Sequence, residues 1–309
     1  MSESGRYPHN VQEFEALFQE VSNWGRWGAD DGRGALNLIN PETVRAATAL
    51  VRDGATVSLS WQFRTEADIE NYRPAVHLMT RAGDMVEEFD SVGDYFAVMY
   101  HGYAVSHIDA LCHFFFRGQM YNGKPANLVT SIGARANSIE AAENGIIGRG
   151  VLLDIARLRG VDYLEPGEPI FPEELDAAEQ AAGLKVGSGD ILLIRTGRAK
   201  AKEALGLWDP RERLAGLHAS CARWIRARDV AVVGCDGITD VVPTLVDGQR
   251  QAMHVLTLVA MGIHLLDNMQ LEAVAEASAA RSRWEFLLTL NPLRLAGGTG
   301  SPLNPIAIF

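Results

Sequence analysis

The chain has 309 residues, of which 47% are apolar and 22% are charged, a composition typical of a globular protein with a large core. Its net charge of −11 argues against nucleic acids and anionic membranes as partners, because both attract basic surfaces. The sequence has no apolar stretch of about 18 residues and no signal-peptide pattern at its N-terminus. Three cysteines without CxxC spacing favour a reducing compartment, so we expect a cytoplasmic protein.

The N-terminal third alternates between helical and strand patterns. Apolar residues at helical spacing predict a helix from Val11 to Val21. Asn40 as N-cap and Pro41 in the first turn predict a second helix that runs to about Val51. Alternating apolar residues then predict strands from Thr56 to Phe63 and from Tyr95 to Tyr100.

The rest of the chain contains short apolar runs bounded by glycines, which predict strands that are buried on both faces. These runs are Gly150 to Asp154, Asp190 to Gly197 and Val230 to Gly234. Helices are predicted for Pro172 to Ala182, Leu214 to Arg228 and Gln270 to Ala280, a strand for Glu285 to Leu290, and a packed tail for Gly297 to Phe309. Because composition does not shift along the chain, we expect one mixed α/β domain over residues 1–309.

The segment from His101 to His113 carries three of the eight histidines and one aspartate. Neutral imidazole and carboxylate are ligands that suit zinc or manganese. His107 and Asp109 are two residues apart, so on a strand both side chains point to the same face. A single histidine would more commonly be a core residue bonded to backbone, but the whole set favours a divalent metal site.

This segment also resembles a known family. Ser106-His107-Ile108-Asp109-Ala110-Leu111-Cys112-His113 is similar to the T-H-x-D-x-P-x-H half of a fingerprint found in cyclase-like metal-dependent hydrolases, a family that includes bacterial kynurenine formamidase and isatin hydrolase. Serine replaces threonine, and Leu111 replaces proline. The first histidine of the fingerprint would fall on Tyr103. Either a two-residue insertion keeps His101 as that ligand or the ligand is lost, and we favour His101 because tyrosine rarely binds zinc or manganese.

The resemblance extends along most of the chain. Gly189 to Gly197 is similar to the family's G-D-x-L-L-I-R-T-G strand, and Gly234-Cys235-Asp236 to a strand that ends in G-x-D. His254 and the segment from Gly262 to Asn268 resemble the distal H…G-I-x-x-x-E-N motif. In that motif the histidine and the acidic residue belong to the metal centre. Here Asp267 stands in place of the usual glutamate, which shortens its reach.

The resemblance implies a fold of the swivelling β/β/α type, with mixed sheets and flanking helices. It implies a hydrolase that acts on a carbonyl C–N or C–O bond of a small cyclic or aromatic substrate, such as a cyclic amide, a formamide or a lactone, through a metal-activated water. The expected ligands of Mn²⁺ or Zn²⁺ are His101, His107, Asp109 and Asp267, and the expected catalytic residues are His113 and His254. A metal-dependent lyase or cyclase that stabilises an enolate is the alternative, and a non-catalytic metal carrier is a third reading.

The remaining expectations concern assembly, substrate and the other histidines. The family commonly forms homodimers or homotetramers, and residues 1–40, with Trp24 and Trp27, would suit an arm at such an interface. The aromatic residues Phe114, Phe115, Phe116, Trp24, Trp27 and Trp61 are candidates for an apolar wall beside the substrate, although core packing is their commoner role. The histidines His9, His77, His218 and His264 are read as structural or surface residues, and Cys112 as a buried apolar residue.

Overall fold

The computed structural model describes residues 7–85 and 90–309. Within these residues the strands are β1 Thr56–Ser58, β2 Val76–Arg81, β3 Gly93–Ala97, β4 His107–Asp109, β5 Val129–Thr130, β6 Gly133–Ala134, β7 Ile146–Asp154, β8 Pro169–Ile170, β9 Ile191–Arg195, β10 Gly216–Leu217, β11 Val232–Cys235, β12 His264–Asp267, β13 Glu285–Leu290, β14 Gly300–Pro302 and β15 Ile306–Ile308. Nine of them form one sheet in the order β1-β15-β13-β7-β9-β11-β12-β4-β14. The pairs β7–β9, β9–β11 and β11–β12 are parallel and the other pairs antiparallel, so the sheet is mixed as expected.

The helices of the described part are α1 Val11–Val21, α2 Pro41–Thr48, α3 Ile155–Leu158, α4 Pro172–Ala182, α5 Arg198–Leu205, α6 Cys221–Ala227, α7 Ala252–His254 and α8 Glu272–Arg281. A π-helical segment, Val255–Met261, continues α7, and single 3₁₀ turns cover Gly34–Leu38, Tyr121–Gly123, Ala126–Leu128 and Ile139–Ala142. Among the described residues, none of these helices has the length and apolar character needed to cross a membrane. The cytoplasmic location stays a prediction.

The central strands are buried on both faces, which explains their unbroken apolar sequences. On β9, Leu192 and Ile194 face one core cluster, whereas Ile191 and Leu193 face the other. The first cluster contains residues of α1, α4, α6 and the π-helical segment, and the second contains residues of α8, β13 and the C-terminal tail. The tail is tied into the sheet by β14 and β15, as predicted.

Most predicted elements are confirmed, several of them with shifted ends. The helix Val11–Val21, the helix Pro172–Ala182 and the strand Glu285–Leu290 have the predicted bounds. Asn40 caps α2 as predicted, and this helix ends at Thr48. The strand predicted from Thr56 to Phe63 ends at Ser58. The strand predicted from Tyr95 to Tyr100 lies at Gly93–Ala97 instead.

The prediction of a helix from Leu214 was wrong for its first half. Helix α6 begins only at Cys221, and the residues before it are extended, with β10 paired in parallel to β8. Gly216 lies so close to Asp240 that an added Cβ would be 2.4 Å from the Asp240 carbonyl oxygen. This close backbone approach requires glycine and an extended chain, and the apolar spacing of the segment does not reveal it.

The N-terminal region packs on its own chain. Helix α1 buries its apolar face in the first core cluster, and both Trp24 and Trp27 are partly buried against the same cluster. The Trp24 indole N–H donates to the Val259 carbonyl at 2.7 Å. Core packing therefore accounts for both tryptophans. An oligomer contact by residues 1–40 stays a prediction, and residues 1–6 of this arm lie outside the described part.

Candidate metal centre

Strand β4 carries the first two candidate ligands and lies between β12 and β14. In the antiparallel register His107 faces Asp267 of β12, and Asp109 faces Leu265. Because directly opposed residues of an antiparallel pair share a face, His107, Asp109 and Asp267 project to the same side of the sheet. Residues separated by about 160 positions in sequence are thereby brought into one cluster.

Asp109 lies at the centre of this cluster and is fully buried. Its Oδ1 atom is 2.9 Å from His101 Nδ1, 3.4 Å from His107 Nε2 and 3.8 Å from His113 Nε2. Its Oδ2 atom is 3.5 Å from His254 Nε2. Four imidazoles therefore surround one carboxylate, and the histidines singled out in the sequence converge on it.

The sequence left open whether His101 or Tyr103 stands at the first histidine of the family fingerprint, and in the structure the His101 ring lies beside Asp109. Its ring stacks on that of His113 with a centroid distance of 3.7 Å and an angle of 3°. The Tyr103 carbonyl instead accepts a hydrogen bond from Arg198. The structure thus brings the His101 ring to Asp109, and the role of His101 as a metal ligand stays a prediction.

The distal motif reaches the same point. His254 Nε2 lies 3.3 Å from Asp267 Oδ2, and the Thr239 hydroxyl donates to Asp267 Oδ1 at 3.3 Å. Both His254 and Asp267 are buried. The aspartate is long enough to join the cluster because β12 is hydrogen-bonded directly to β4.

Among the described residues, two groups of three have the geometry of a metal site. One comprises His101, Asp109 and His113, and the other His107, Asp109 and Asp267, and in each group the ligand atoms lie within 4.8 Å of one another. Both oxygens of Asp109 are buried, and among the described residues no donor bonds them with good hydrogen-bond geometry, His101 Nδ1 at 2.9 Å included. An unpartnered buried carboxylate is costly unless a cation compensates its charge, so this donor set fits a divalent ion.

In three of the histidines, the ring nitrogen that points away from the cluster carboxylates contacts another group. His107 Nδ1 donates to the Val105 carbonyl at 2.8 Å, and His101 Nε2 lies 3.0 Å from the Thr299 hydroxyl. His254 Nδ1 donates to Asp240 Oδ2 at 2.5 Å. In each case the other nitrogen faces Asp109 or Asp267. Such outer partners fix the tautomer and orientation of metal-binding histidines.

Asp240 is a candidate functional residue that the sequence reasoning missed. It is buried and accepts from the backbone N–H of Met253 at 2.6 Å and of His254 at 3.2 Å, in addition to the imidazole. A weak signal was present, because Asp240 closely follows a buried strand that ends at Cys235, and ligand-binding residues are common at such strand ends.

The charges of the cluster reinforce one another. Burial alone would raise the pKa of Asp109, but the surrounding imidazoles hold that pKa well below its usual value. Burial would likewise lower the pKa of His254, yet Asp267, Asp109 and Asp240 together raise it well above the usual value. The pKa of His107 is raised because Asp109 outweighs the effect of burial. For His113 the effect of burial outweighs that of Asp109 and lowers the pKa to about 4, so this imidazole is neutral near pH 7.

Three other histidines and the cysteine of the motif belong to neither candidate ligand group. His77 is exposed on β2 and pairs with Asp94, whereas His218 is buried beside Ser220. His264 is fully buried, and burial lowers its pKa to about 4. Burial raises the pKa of Cys112 to about 12, which removes this thiol as a nucleophile at neutral pH.

Comparison with known proteins identifies the family. A sequence model described as "Putative cyclase" matches residues 45–239, which is more than half of the chain. The chain belongs to this cyclase family. A crystal structure described as a novel cyclase is 30% identical, with a TM-score of 0.84, and the alignment covers 94% of this chain and 99% of that one. A search of curated proteins gives no match.

More distant structures share the cyclase-like fold. Isatin hydrolase A from Ralstonia solanacearum is 19% identical, with a TM-score of 0.58 and coverage of 85% of this chain and 93% of its own. A predicted metal-dependent hydrolase from Bacillus stearothermophilus is 13% identical, with a TM-score of 0.53 and coverage of 83% and 98%. At these identities the similarity shows that the fold is common to all three proteins.

Proposed function

We propose that this member of the cyclase family is a metal-dependent hydrolase that cleaves a carbonyl C–N or C–O bond in a small cyclic or aromatic substrate. Cyclic amides, formamides and lactones are the substrate classes we favour. The observation that carries the proposal is the buried Asp109 carboxylate, which has four imidazoles within 3.8 Å and, among the described residues, no hydrogen bond of good geometry. The hydrolase names of two structural relatives support it.

The residues that would hold the divalent ion, Mn²⁺ or Zn²⁺, are His101, His107, Asp109 and Asp267. When bound, such an ion supplies a Lewis acid for the substrate carbonyl and lowers the pKa of coordinated water toward neutrality. Asp109 belongs to both ligand groups, so this carboxylate can serve either one ion or two neighbouring ions.

His113 and His254 are the proposed catalytic residues. The His113 ring is partly exposed and lies beside Asp109, where it can take a proton from water and return it to the leaving nitrogen or oxygen. His254 is held by Asp240 with its Nε2 atom facing the cluster, where, together with Asp267, it either binds a second ion or completes a proton relay.

The histidine cluster has an aromatic neighbour. The Phe114 ring lies 4.7 Å from the His254 ring and 5.2 Å from the His113 ring, which supports a flat or cyclic substrate at this point. Phe116 packs against Phe14 and Phe18 in the core instead. Of the aromatic residues suggested by the sequence, Phe114 is therefore the one we assign to the substrate wall.

Turnover of isatin, formylated anilines and small lactones tests the proposal. The metal-loaded protein in H₂¹⁸O should release an acid that carries one ¹⁸O atom, and chelation should abolish the reaction until Mn²⁺ or Zn²⁺ is restored. Equal turnover in metal-stripped protein would refute metal dependence. A product without ¹⁸O would favour the lyase or cyclase alternative.

The role of His113 is tested separately, because it belongs both to a ligand group and to the proposed catalytic pair. If His113 acts as the base, His113→Ala should keep its metal content and lose most turnover. Elemental analysis that shows loss of an ion in this variant would assign His113 to the metal instead. His77→Ala is a suitable control, since His77 is exposed and pairs with Asp94.

We also propose that the protein forms a homodimer or homotetramer. Strands β2 and β3 pair with each other and present Leu78, Tyr95 and Phe96, each more than half exposed. A two-stranded hairpin is marginally stable by itself, so an apolar one of this kind favours a protein partner. Light scattering after gel filtration should give a multimer mass, and Phe96→Glu should lower that mass, whereas a monomeric wild type would refute the proposal.

A further inference from the structure

We propose that Arg198 is a positioning residue, which holds the loop between His101 and His107 in the path that brings both imidazoles to Asp109. The inference rests on the proposed metal site and adds a residue outside the ligand set. Arg198 begins α5 and is only 4% exposed, so its guanidinium lies within the protein rather than in solvent.

The loop needs such a support because it lacks the repeating hydrogen bonds of a helix or strand between His101 and β4. Its carbonyl groups are bonded by two side chains instead. The Asn268 amide donates to Gly102 O at 2.8 Å and to Val105 O at 3.2 Å, and Arg198 Nη2 donates to Tyr103 O at 2.9 Å. Three of the loop carbonyls therefore accept hydrogen bonds from Arg198 or Asn268, and the Val105 carbonyl accepts one from His107 as well.

Arg198 also determines how the Asn268 amide is oriented. Its Nη1 atom donates to Asn268 Oδ1 at 2.6 Å, so the Nδ2 group of that amide must face the loop. Nη1 donates to the Asp236 carbonyl at 3.2 Å as well, and Nη2 to Glu70 Oε1 at 3.0 Å. Four acceptors in a fixed arrangement match the planar fork of a guanidinium, which a lysine ammonium cannot reproduce.

The position of Arg198 is itself defined by two motifs noted in the sequence. Asp236, at the end of the G-x-D segment, accepts from the backbone N–H groups of Thr196, Gly197 and Arg198 and from the Thr196 hydroxyl. The two motifs are therefore joined to each other and, through Arg198, to the loop between His101 and His107. They provide a scaffold for the site without contributing ligands.

Arg198→Lys is the informative variant. It keeps a positive charge, and Glu70 retains Lys202 as a partner at 2.7 Å, so a buried carboxylate is not left alone. Arg195→Lys is the matched control. Arg195 is also buried and lies three residues earlier, but its hydrogen bonds go to Asp154, Glu272 and Asp162.

Two measurements test the inference. Hydrogen exchange of the metal-free proteins should show faster exchange in peptides that cover residues 100–107 for Arg198→Lys and unchanged exchange there for Arg195→Lys. Titration with Zn²⁺ and with Mn²⁺ should show an affinity roughly tenfold lower for Arg198→Lys alone, the lower end of the effect of outer partners of metal ligands.

The outcomes separate this inference from the proposed function. Unchanged exchange in the loop of Arg198→Lys, or an equal change in Arg195→Lys, overturns the positioning role. Faster exchange without any loss of metal affinity overturns it too. If the wild type binds neither metal, the proposed function fails, and the metal-free exchange data still decide whether Arg198 holds the loop.

Discussion

Asp240→Asn is the substitution that most directly tests how the site presents His254. The wild-type carboxylate uses both oxygens: Oδ1 accepts from Met253 N–H, and Oδ2 accepts from His254 Nδ1 and His254 N–H. An asparagine of the same shape has one acceptor oxygen and one NH₂ group. Either the Met253 N–H loses its acceptor, or the NH₂ group faces His254 Nδ1 and turns that nitrogen into an acceptor.

The magnitude follows from the contacts. If His254 Nδ1 becomes an acceptor, its proton moves to Nε2, the atom that faces Asp109 and Asp267 and that must be unprotonated to bind a metal. Removal of such an outer partner typically lowers metal affinity by about 10- to 100-fold, which corresponds to about 1.4–2.7 kcal/mol. The loss of one hydrogen bond to a charged group, about 1.5–3 kcal/mol, gives the same range.

Isothermal titration of the metal-free protein with Zn²⁺ and Mn²⁺ measures this effect. Asp190→Asn is the control, because Asp190 is also a buried carboxylate with several donors but pairs with Arg149. Only Asp240→Asn should lose affinity. Wild-type affinity in Asp240→Asn, or an equal loss in the control, would show that Asp240 does not orient a metal ligand.

Three further predictions concern the shared ligand, pH and backbone packing. Asp109→Asn should abolish all metal binding in elemental analysis, because both ligand groups contain Asp109, and one ion retained at full occupancy would contradict this. Since burial lowers the folded-state pKa of His264 to about 4, the unfolded chain binds an extra proton between pH 6.5 and 4. Stability should therefore fall as pH falls through that window. In urea unfolding, the free energy of unfolding of His264→Leu should depend on pH less steeply than that of the wild type, by up to about 1.4 kcal/mol per pH unit. An unchanged dependence on pH would refute the assignment. Gly262→Ala would place a Cβ 2.4 Å from the Tyr121 ring and should lower the free energy of unfolding by about 1–3 kcal/mol more than Gly160→Ala, which also has positive φ but open space around it. Equal losses in urea unfolding would show that the Tyr121 contact is not limiting.

Local patterns in the sequence determined much of the fold. The apolar runs of β9 and β11 predicted strands buried on both faces, because parallel strands in the centre of a sheet contact core on each side. Helix α1 was predicted at its observed bounds because its apolar face repeats at helical spacing. The segment before Cys221 was mispredicted, because its extended conformation depends on contact with Asp240, which lies far along the chain.

The candidate site divides in the same way. The histidines and Asp109 were found in the sequence because thirteen consecutive residues carry most of the ligand types, and the family resemblance added His254 and Asp267. Only the tertiary structure decided that His101 rather than Tyr103 reaches Asp109, that Asp240 holds His254, and that Arg198 supports the loop. These relations depend on strand register and on side chains distant in sequence. A local pattern reports which donors and acceptors are present, but the packing of separate segments decides which of them meet.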